Sequence, residues 1–389
     1  MSSTDLLLPA LFIIYLIHAI VRVVRSYITS RNKRGFLRSY KFKRVIQIIL
    51  IIGIPLIIVS FLPAGIGDKI GFWPKALGYL FSAAISILWV VYIRKLDIYE
   101  PEKWRHILFV FILSCLTIWA IFPITNGINS LGFELNGNPV NDFLYSVITI
   151  GMMEELVKLI PVLIIMLNKK ILNESFDFLL YASVSALGFA FIENILYINS
   201  SELYSVIARM LVASVAHMTF TTTIFYGFLL AKRRRFKAIP KVVYYVIFFL
   251  LASLSHGFYD YWLLNPWANQ FHSLTIIFFM VIMHIWFTML NNALNISQFY
   301  KRSTPLQVDK LKSYLIFSLL MVFMAAFLTV HLFHGKQEAM LFFWENLFAF
   351  GYFFIYIIYS HNRFKIVRGY IAPFEATSSF FVPPLKRVE

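Results

Sequence analysis

The feature of this chain that most constrains its fold is a series of long apolar stretches separated by short polar or basic breaks. A stretch of about 20 apolar residues is long enough to cross a lipid bilayer as an α-helix. Within lipid the backbone must satisfy its own hydrogen bonds, which a helix does inside one segment. The sequence therefore predicts an all-α, polytopic transmembrane helix bundle with about eleven spans. The expected spans cover residues 6–24, 45–62, 76–93, 106–124, 141–167, 178–198, 204–230, 242–264, 272–294, 313–333 and 339–359.

The composition is that of a membrane protein and excludes an ordinary soluble domain. Of 389 residues, 60% are hydrophobic and 14% are charged, whereas soluble domains contain about 25% charged residues. The net charge of +16 comes from Lys and Arg gathered in short runs between the apolar stretches, as in cytoplasmic loops. We therefore expect the protein to interact with the lipid bilayer and not with nucleic acid. A single cysteine, Cys115, excludes an intramolecular disulfide and a cysteine metal cluster.

The basic loops also predict the orientation of the chain. Residues 22–44 and 232–235 are strongly basic, whereas residues 125–140 and 265–271 contain no Lys or Arg. Positively charged loops remain in the cytoplasm, so the alternation predicts an N-terminus outside and a C-terminus inside. The tail, residues 361–389, is expected to be a cytoplasmic extension with little structure.

Charged residues inside an apolar stretch are costly and are functional candidates for that reason. The fifth stretch contains Glu154, Glu155 and Lys158 near its middle. The spacings i,i+4 and i,i+3 allow the lysine to approach either carboxylate on one helical face. One charge is thereby neutralised and one carboxylate remains for proton transfer. The alternative is an ion pair that only locks two helices together.

The next three stretches each add an ionisable group. Glu193 in the sixth has no basic partner on its own helix, so its partner must come from another helix, a metal or a water. His217 in the seventh and His256 in the eighth follow, and Asp260 lies one turn after His256. Each group taken alone is as consistent with packing as with function. In the expected topology, however, all of them fall at one depth, between the membrane centre and the outer leaflet.

The motifs Glu154-Glu155-x-x-Lys158, Gly188-Phe189-x-x-x-Glu193-Asn194, His217 and His256-x-x-x-Asp260 together resemble those of the PrsW family of intramembrane proteases. These bacterial enzymes cut membrane-anchored anti-sigma factors and are related to the CAAX prenyl proteases. CAAX-type relatives usually have EExxxR and FxxxH, whereas this chain has EExxK and FxxxE, which favours PrsW. The resemblance covers residues 141–265, and no HExxH zinc-protease helix is present.

The resemblance implies an integral protein of a bacterial plasma membrane with a catalytic four-helix core at 141–265. Transmembrane helices precede the core at 1–140 and follow it at 266–360, with the tail at 361–389. A membrane-anchored protein is the implied substrate. The implied catalytic residues are Glu154, Glu155, Lys158, Glu193, His217, His256 and Asp260.

Two chemistries remain open for this set of residues. In the first, Zn²⁺ is bound by Glu193, His217 and His256, since two histidines and a glutamate form a known catalytic zinc set. In the second, no metal is bound and a glutamate activates the water while histidines stabilise the oxyanion. The alternative functions are a proton- or ion-coupled transporter, a CAAX-type prenyl endopeptidase and a non-cleaving scaffold.

Overall fold

The computed structural model describes residues 17, 21, 24–30, 33–61, 71–200, 203–233, 240–271, 273–301 and 306–373. These residues form helices joined by short connections, and no strand occurs among them. The α-helices are α1 Lys33–Arg38, α2 Tyr40–Phe61, α3 Phe72–Leu96, α4 Trp104–Thr117, α5 Ile121–Ser130, α6 Pro139–Tyr145, α7 Met153–Met166, α8 Ser175–Ser200, α9 Leu203–Arg233, α10 Lys241–Leu264, α11 Pro266–Asn269, α12 Ser273–Asn295, α13 Val308–His334 and α14 Lys336–Asn362.

Eight segments among the described residues are long and apolar enough to cross a membrane. The expected all-helical membrane fold is therefore confirmed. The count of eleven spans and the orientation stay predictions: the first expected span lies largely outside the described residues, and the spans expected at 141–167 and 339–359 are not among the eight. The eight segments are Phe42–Phe61, Phe72–Leu96, Trp104–Ser130, Ser175–Ser200, Arg209–Lys232, Lys241–Leu264, Leu274–Asn295 and Val308–His334.

The fifth expected span, residues 141–167, is not one continuous α-helix. Its α6 portion is followed by a π-helix at Ser146–Met152, and α7 begins at Met153. The hydrogen bonds of a π-helix span one residue more than those of an α-helix, which shifts the side chains that follow, and such segments are frequent at functional sites. The two adjacent glutamates of this span lie in the first turn of α7. The irregular turn therefore sets the direction in which both carboxylates project.

The chain divides into two compact units, each built from segments that are distant in sequence. The first contains residues 1–85, 194–210 and 313–355. The second contains residues 86–193, 211–312 and 356–389, and all seven predicted catalytic residues belong to it. The division at 140, 265 and 360 expected from the sequence stays a prediction.

Within the second unit, hydroxyl groups and a glycine hold α4, α7 and α8 close together. Ser114 of α4 donates a hydrogen bond to Ser185 O at 2.6 Å, and Ser185 of α8 donates to Lys158 O at 2.7 Å. A Cβ on Gly188 would lie 2.9 Å from Ser114 Cβ, so α8 approaches α4 this closely only because position 188 is glycine. The motif glycine therefore has a packing role beside the cluster.

The first part of the expected tail is ordered against α12, contrary to the expectation of little structure. The backbone N–H groups of Lys365 and Val367 donate to the side chains of Asn291 and Asn295 at 3.1 and 2.8 Å. The N–H of Ala372 donates to Asn292 at 2.8 Å. Asparagine side chains on one helix thus replace the partners that an extended segment lacks. The rest of the tail lies outside the described residues.

Candidate active site

The amino group of Lys158 lies at the centre of a buried cluster of ionisable side chains. Its Nζ is 3.2 Å from Glu154 Oε2, 2.9 Å from Glu155 Oε1 and 2.8 Å from His217 Nδ1. The lysine is fully buried, and its Nζ lies 4.3 Å from the centre of the Phe189 ring. A buried ammonium is tolerated only with charged and hydrogen-bonding partners. The lysine and its partners therefore fix one another's positions.

Glu155 uses both of its carboxylate oxygens. Oε1 accepts from Lys158 at 2.9 Å and from His256 Nδ1 at 3.0 Å, while Oε2 accepts from Thr221 Oγ1 at 2.7 Å. The side chain has no exposed surface. The three helices α7, α9 and α10 cannot shift past one another easily around such a group, because each broken bond would leave a buried charge with one partner fewer. Glu155 is a fixed anchor for helices α9 and α10.

Glu154, the adjacent residue, has a different environment. Its Oε2 lies 3.2 Å from Lys158 Nζ and 3.5 Å from His256 Nε2, and among the described residues Oε1 has no hydrogen-bond partner. The side chain is 11% exposed, whereas that of Glu155 is fully buried. Glu154 thus keeps one oxygen that can accept a proton from a bound water.

His217 of α9 connects the lysine with α8. Its Nδ1 accepts from Lys158, because an ammonium group has no lone pair to offer. Its Nε2 therefore carries the proton and donates to Glu193 Oε2 at 2.8 Å. The partner of Glu193 on another helix is thus a histidine. The side chains of α7, α8 and α9 meet at this imidazole.

His256 of α10 completes the group. Its Nδ1 faces Glu155, and its Nε2 lies 3.3 Å from Asp260 Oδ2 one turn along the same helix. The ring stacks on Phe220 with centroids 4.9 Å apart and meets the ring of His217 edge-on at 5.1 Å. The two ring contacts, together with the partners of both nitrogens, hold the imidazole in a fixed direction.

The close approach of the π-helix and α10 brings His256 to the glutamates. A Cβ on Gly151 would lie 2.5 Å from Ser253 O, 2.8 Å from Gly257 N and 3.3 Å from His256 Cβ. Real Cβ atoms are not found at the first two distances, so only glycine permits this backbone contact. The sequence places the glycine three residues before Glu154, in the π-helical turn.

The donor atoms of the cluster fit a divalent metal in type and separation. Glu154, His217 and His256 each offer one ligand atom, and these atoms lie within 4.8 Å of one another. Two histidines and a carboxylate are the ligands of a well-known class of catalytic zinc site. Because Lys158 engages His217 Nδ1, only Nε2 could face an ion, and Nε2 would first have to give up the proton that it donates to Glu193.

The structure brings the seven predicted residues together on four helices. Two further residues of the cluster were not identified from the sequence, Thr221 and Phe220, and Phe189 was noted there only as part of a motif. Thr221 lies four residues after His217, and this i,i+4 spacing is the signal that could have identified it. The Phe220 ring has no signal of its own in so apolar a sequence.

A protein-family model described as "PrsW family intramembrane metalloprotease" matches residues 102–289. The chain is 30% identical over 206 residues to Protease PrsW of Oceanobacillus iheyensis, covering 52% of this chain and 88% of that protein. This chain belongs to the PrsW family of intramembrane metalloproteases. It is a membrane-embedded protease by family, as expected from its motifs.

Two other PrsW relatives give similar values. Protease PrsW of Geobacillus kaustophilus is 29% identical over 184 residues, which cover 47% of this chain and 76% of the relative. Protease PrsW of Bacillus subtilis is 27% identical over 180 residues, which cover 46% and 78%. The PrsW match extends beyond residues 141–265 on both sides, from before α4 into α12. No solved structure matches the chain.

Proposed function

We propose that this chain hydrolyses a peptide bond of a membrane-anchored protein with a water activated by Glu154. The observation that supports the proposal is the difference between the two adjacent glutamates. Both oxygens of Glu155 accept hydrogen bonds, from Lys158, His256 and Thr221, whereas Glu154 retains an oxygen without a partner among the described residues. Only a carboxylate with an available oxygen can take a proton from water.

The remaining residues have separate roles in this mechanism. Lys158 and Glu155 hold Glu154 and the histidines in place. His256 Nε2, which faces Glu154 and Asp260, is placed to exchange a proton with the base or the leaving amine. His217 Nε2–H donates to Glu193, and the same N–H would serve the developing oxyanion by turning from that carboxylate to the substrate oxygen. Four helices supply these groups in a buried site, where each interaction is stronger than in water.

A metal would be held by His217 and His256 with a carboxylate, either Glu193 as expected from the sequence or Glu154 as the ligand-atom separations allow. When bound, it would polarise the peptide carbonyl and lower the pKa of its water. With or without a metal, the proton transfers assigned above would be carried out by the same residues, Glu154 and His256.

The proposed substrate is a single-span protein of the anti-sigma-factor type. Three of the four helices that carry the cluster, α8, α9 and α10, are long and apolar enough to span a membrane, so the bond to be cut must enter the membrane region of the protein. An extended peptide in that region needs hydrogen-bond partners that lipid does not provide. The polar cluster supplies such partners. A peptide in water would not require them, because water supplies hydrogen bonds.

A cleavage assay in liposomes tests the proposal. The purified chain is reconstituted with single-span proteins, and products are identified by mass spectrometry. Glu154→Gln should reduce cleavage about 10²–10⁴-fold. Glu134→Gln, in an exposed loop, and His284→Gln, buried in α12, are matched controls and should cleave normally. Full cleavage by the Glu154→Gln variant would contradict the proposal. So would a variant that still cleaves but has lost an ion flux that the parent chain carries.

A further inference from the structure

A second group of buried carboxylates lies where α3 ends and α8 begins. Asp97 follows the last residue of α3, Glu174 precedes α8, and Asp177 is in the first turn of α8. Their exposures are 2%, 0% and 1%. Asp177 and Glu193 are sixteen residues apart on one helix, about 24 Å along its axis. This acidic group is therefore separate from the candidate active site.

The two aspartates of the group are held in place by the backbone. Asp97 Oδ2 accepts from the N–H of Glu102 at 2.7 Å. Asp177 Oδ2 accepts from the N–H groups of Glu174 and Asn173 at 2.6 and 3.0 Å. One oxygen of each aspartate thus fixes a loop, and the carboxylate positions are set before any ligand arrives.

The other oxygens of the group have no partner. Asp97 Oδ1 and Asp177 Oδ1 are buried without a hydrogen bond in the described part of the chain. Glu174 lies beside the Ser297 hydroxyl, but neither of its oxygens makes a hydrogen bond of ordinary geometry. None of the three carboxylates forms an ion pair with a described Lys or Arg. Buried polar atoms without partners are rare and costly, and a carboxylate is the costliest of them.

We propose that Asp97, Glu174 and Asp177 bind a hard divalent cation of the Ca²⁺ or Mg²⁺ class. Each residue offers one oxygen, and the three oxygens lie within 4.8 Å of one another. Two oxygens on opposite sides of Ca²⁺, each at about 2.4 Å, are separated by about that distance, and those around Mg²⁺ by about 4.2 Å. All three ligands are carboxylates, so the site favours hard cations over zinc, which prefers nitrogen and sulfur.

The bound cation would join the loop after α3 to the loop before α8. Glu102, bonded through its backbone to Asp97, begins the segment that leads into α4. Without a cation, burial and the neighbouring acids raise the pKa of Asp97 to about 8, so protons are the competing occupants of the site. The role of the ion is structural, because it lies far from the catalytic cluster.

Binding of Tb³⁺, a luminescent substitute for Ca²⁺, tests the proposal on the full chain in neutral detergent. We expect saturable luminescence that Ca²⁺ displaces, at one site per chain. Asp177→Asn keeps the oxygen that accepts from the backbone and removes the charge, and Glu174→Gln removes a charge without removing any hydrogen bond. Each should weaken binding at least about tenfold, while Glu134→Gln, an exposed carboxylate, should not.

Binding with unchanged affinity in Asp177→Asn and Glu174→Gln would overturn the proposal. So would the absence of saturable binding to the parent chain at about 10 mM Ca²⁺, which exceeds the weakest affinities of such sites. The parent measurement decides the matter even where a variant fails to fold. A rise in unfolding temperature with Ca²⁺ or Mg²⁺, present in the parent and absent in Asp177→Asn, would support it.

Discussion

Gly151 of the π-helix lies in direct backbone contact with Gly257 of α10. A Cβ on Gly151 would be 2.8 Å from Gly257 N, and a Cβ on Gly257 would lie among the backbone atoms of Val147. Since His256 immediately precedes Gly257, this contact sets the distance between its imidazole and Glu155. The two glycines therefore link backbone packing to the geometry of the catalytic cluster.

Gly257→Ala should separate the π-helix from α10. We expect a loss of stability of about 1–3 kcal/mol from overpacking and a larger loss of cleavage, because His256 would leave Glu155. Thermal unfolding in detergent and the cleavage assay measure the two effects. Gly127→Ala in α5 is the matched control, since nothing lies within 4 Å of its added Cβ. If Gly257→Ala were as active as Gly127→Ala, the glycine contact would not position the site.

The two glutamates should respond differently to the same change. Glu155→Gln breaks a buried arrangement with Lys158 and Thr221 and should destabilise the protein by about 3 kcal/mol. Glu154→Gln alters a partly exposed group with an unused oxygen and should leave the unfolding temperature nearly unchanged while abolishing cleavage. Equal stability losses in the two variants would contradict the assignment of Glu154 as the base and Glu155 as the anchor.

Thr221 should matter more than the other threonines of α9. Its hydroxyl donates to Glu155 at 2.7 Å, and a hydrogen bond to a charged group contributes about 1.5–3 kcal/mol. Thr221→Val keeps the shape and should lower both stability and cleavage rate. Thr219→Val is the matched control, because Thr219 is also buried but donates only to Val215 O of its own helix. Similar effects of both variants would argue against a role for Thr221 in the cluster.

The orientation inferred from the basic loops is open to a direct test. Cysteine labelling or reporter fusions should place residues 125–140 outside and residues 232–241 with the C-terminal tail in the cytoplasm, because Lys and Arg gather on that side. The only native cysteine, Cys115, can first be replaced by serine. Residues 232–241 and the tail on opposite faces would be incompatible with eleven spans.

The helical membrane fold could be predicted because apolar length alone determines it. The π-helix at Ser146–Met152 could not, since hydropathy does not distinguish turns of different pitch. The order of residues 364–372 was missed for a related reason. Their partners, among them Asn291 and Asn295, lie about 70 residues earlier in the chain, and only the packing of α12 brings them near.

The site could be predicted where its members repeat at helical spacing within one segment. Glu154, Glu155 and Lys158 share a face at i,i+3 and i,i+4, and the ion pairs form as that spacing suggests. The pairing of Glu193 with His217 depends on how two helices are rotated about their axes. Sequence spacing contains no information on that rotation, so the indications were their shared depth and the resemblance of their motifs to those of PrsW.

The metal content of variants should show which glutamate is the metal ligand and which is the catalytic base. If Glu193, His217 and His256 hold the ion, the wild-type chain should contain one zinc-type metal, and Glu193→Gln should lose it. Glu154→Gln should then remain loaded but inactive, because the base is not a ligand. The motivation is the 2.8 Å contact between Glu193 Oε2 and His217 Nε2, the nitrogen of that ring that Lys158 does not engage.

Elemental analysis of chains purified without added metal gives the readout. The control variant His284→Gln, which changes a buried histidine of α12, should retain the metal. Loss of metal in Glu154→Gln with retention in Glu193→Gln would make Glu154 the ligand instead. An active, metal-free wild-type chain in the presence of a chelator would show that the glutamate and histidines act alone.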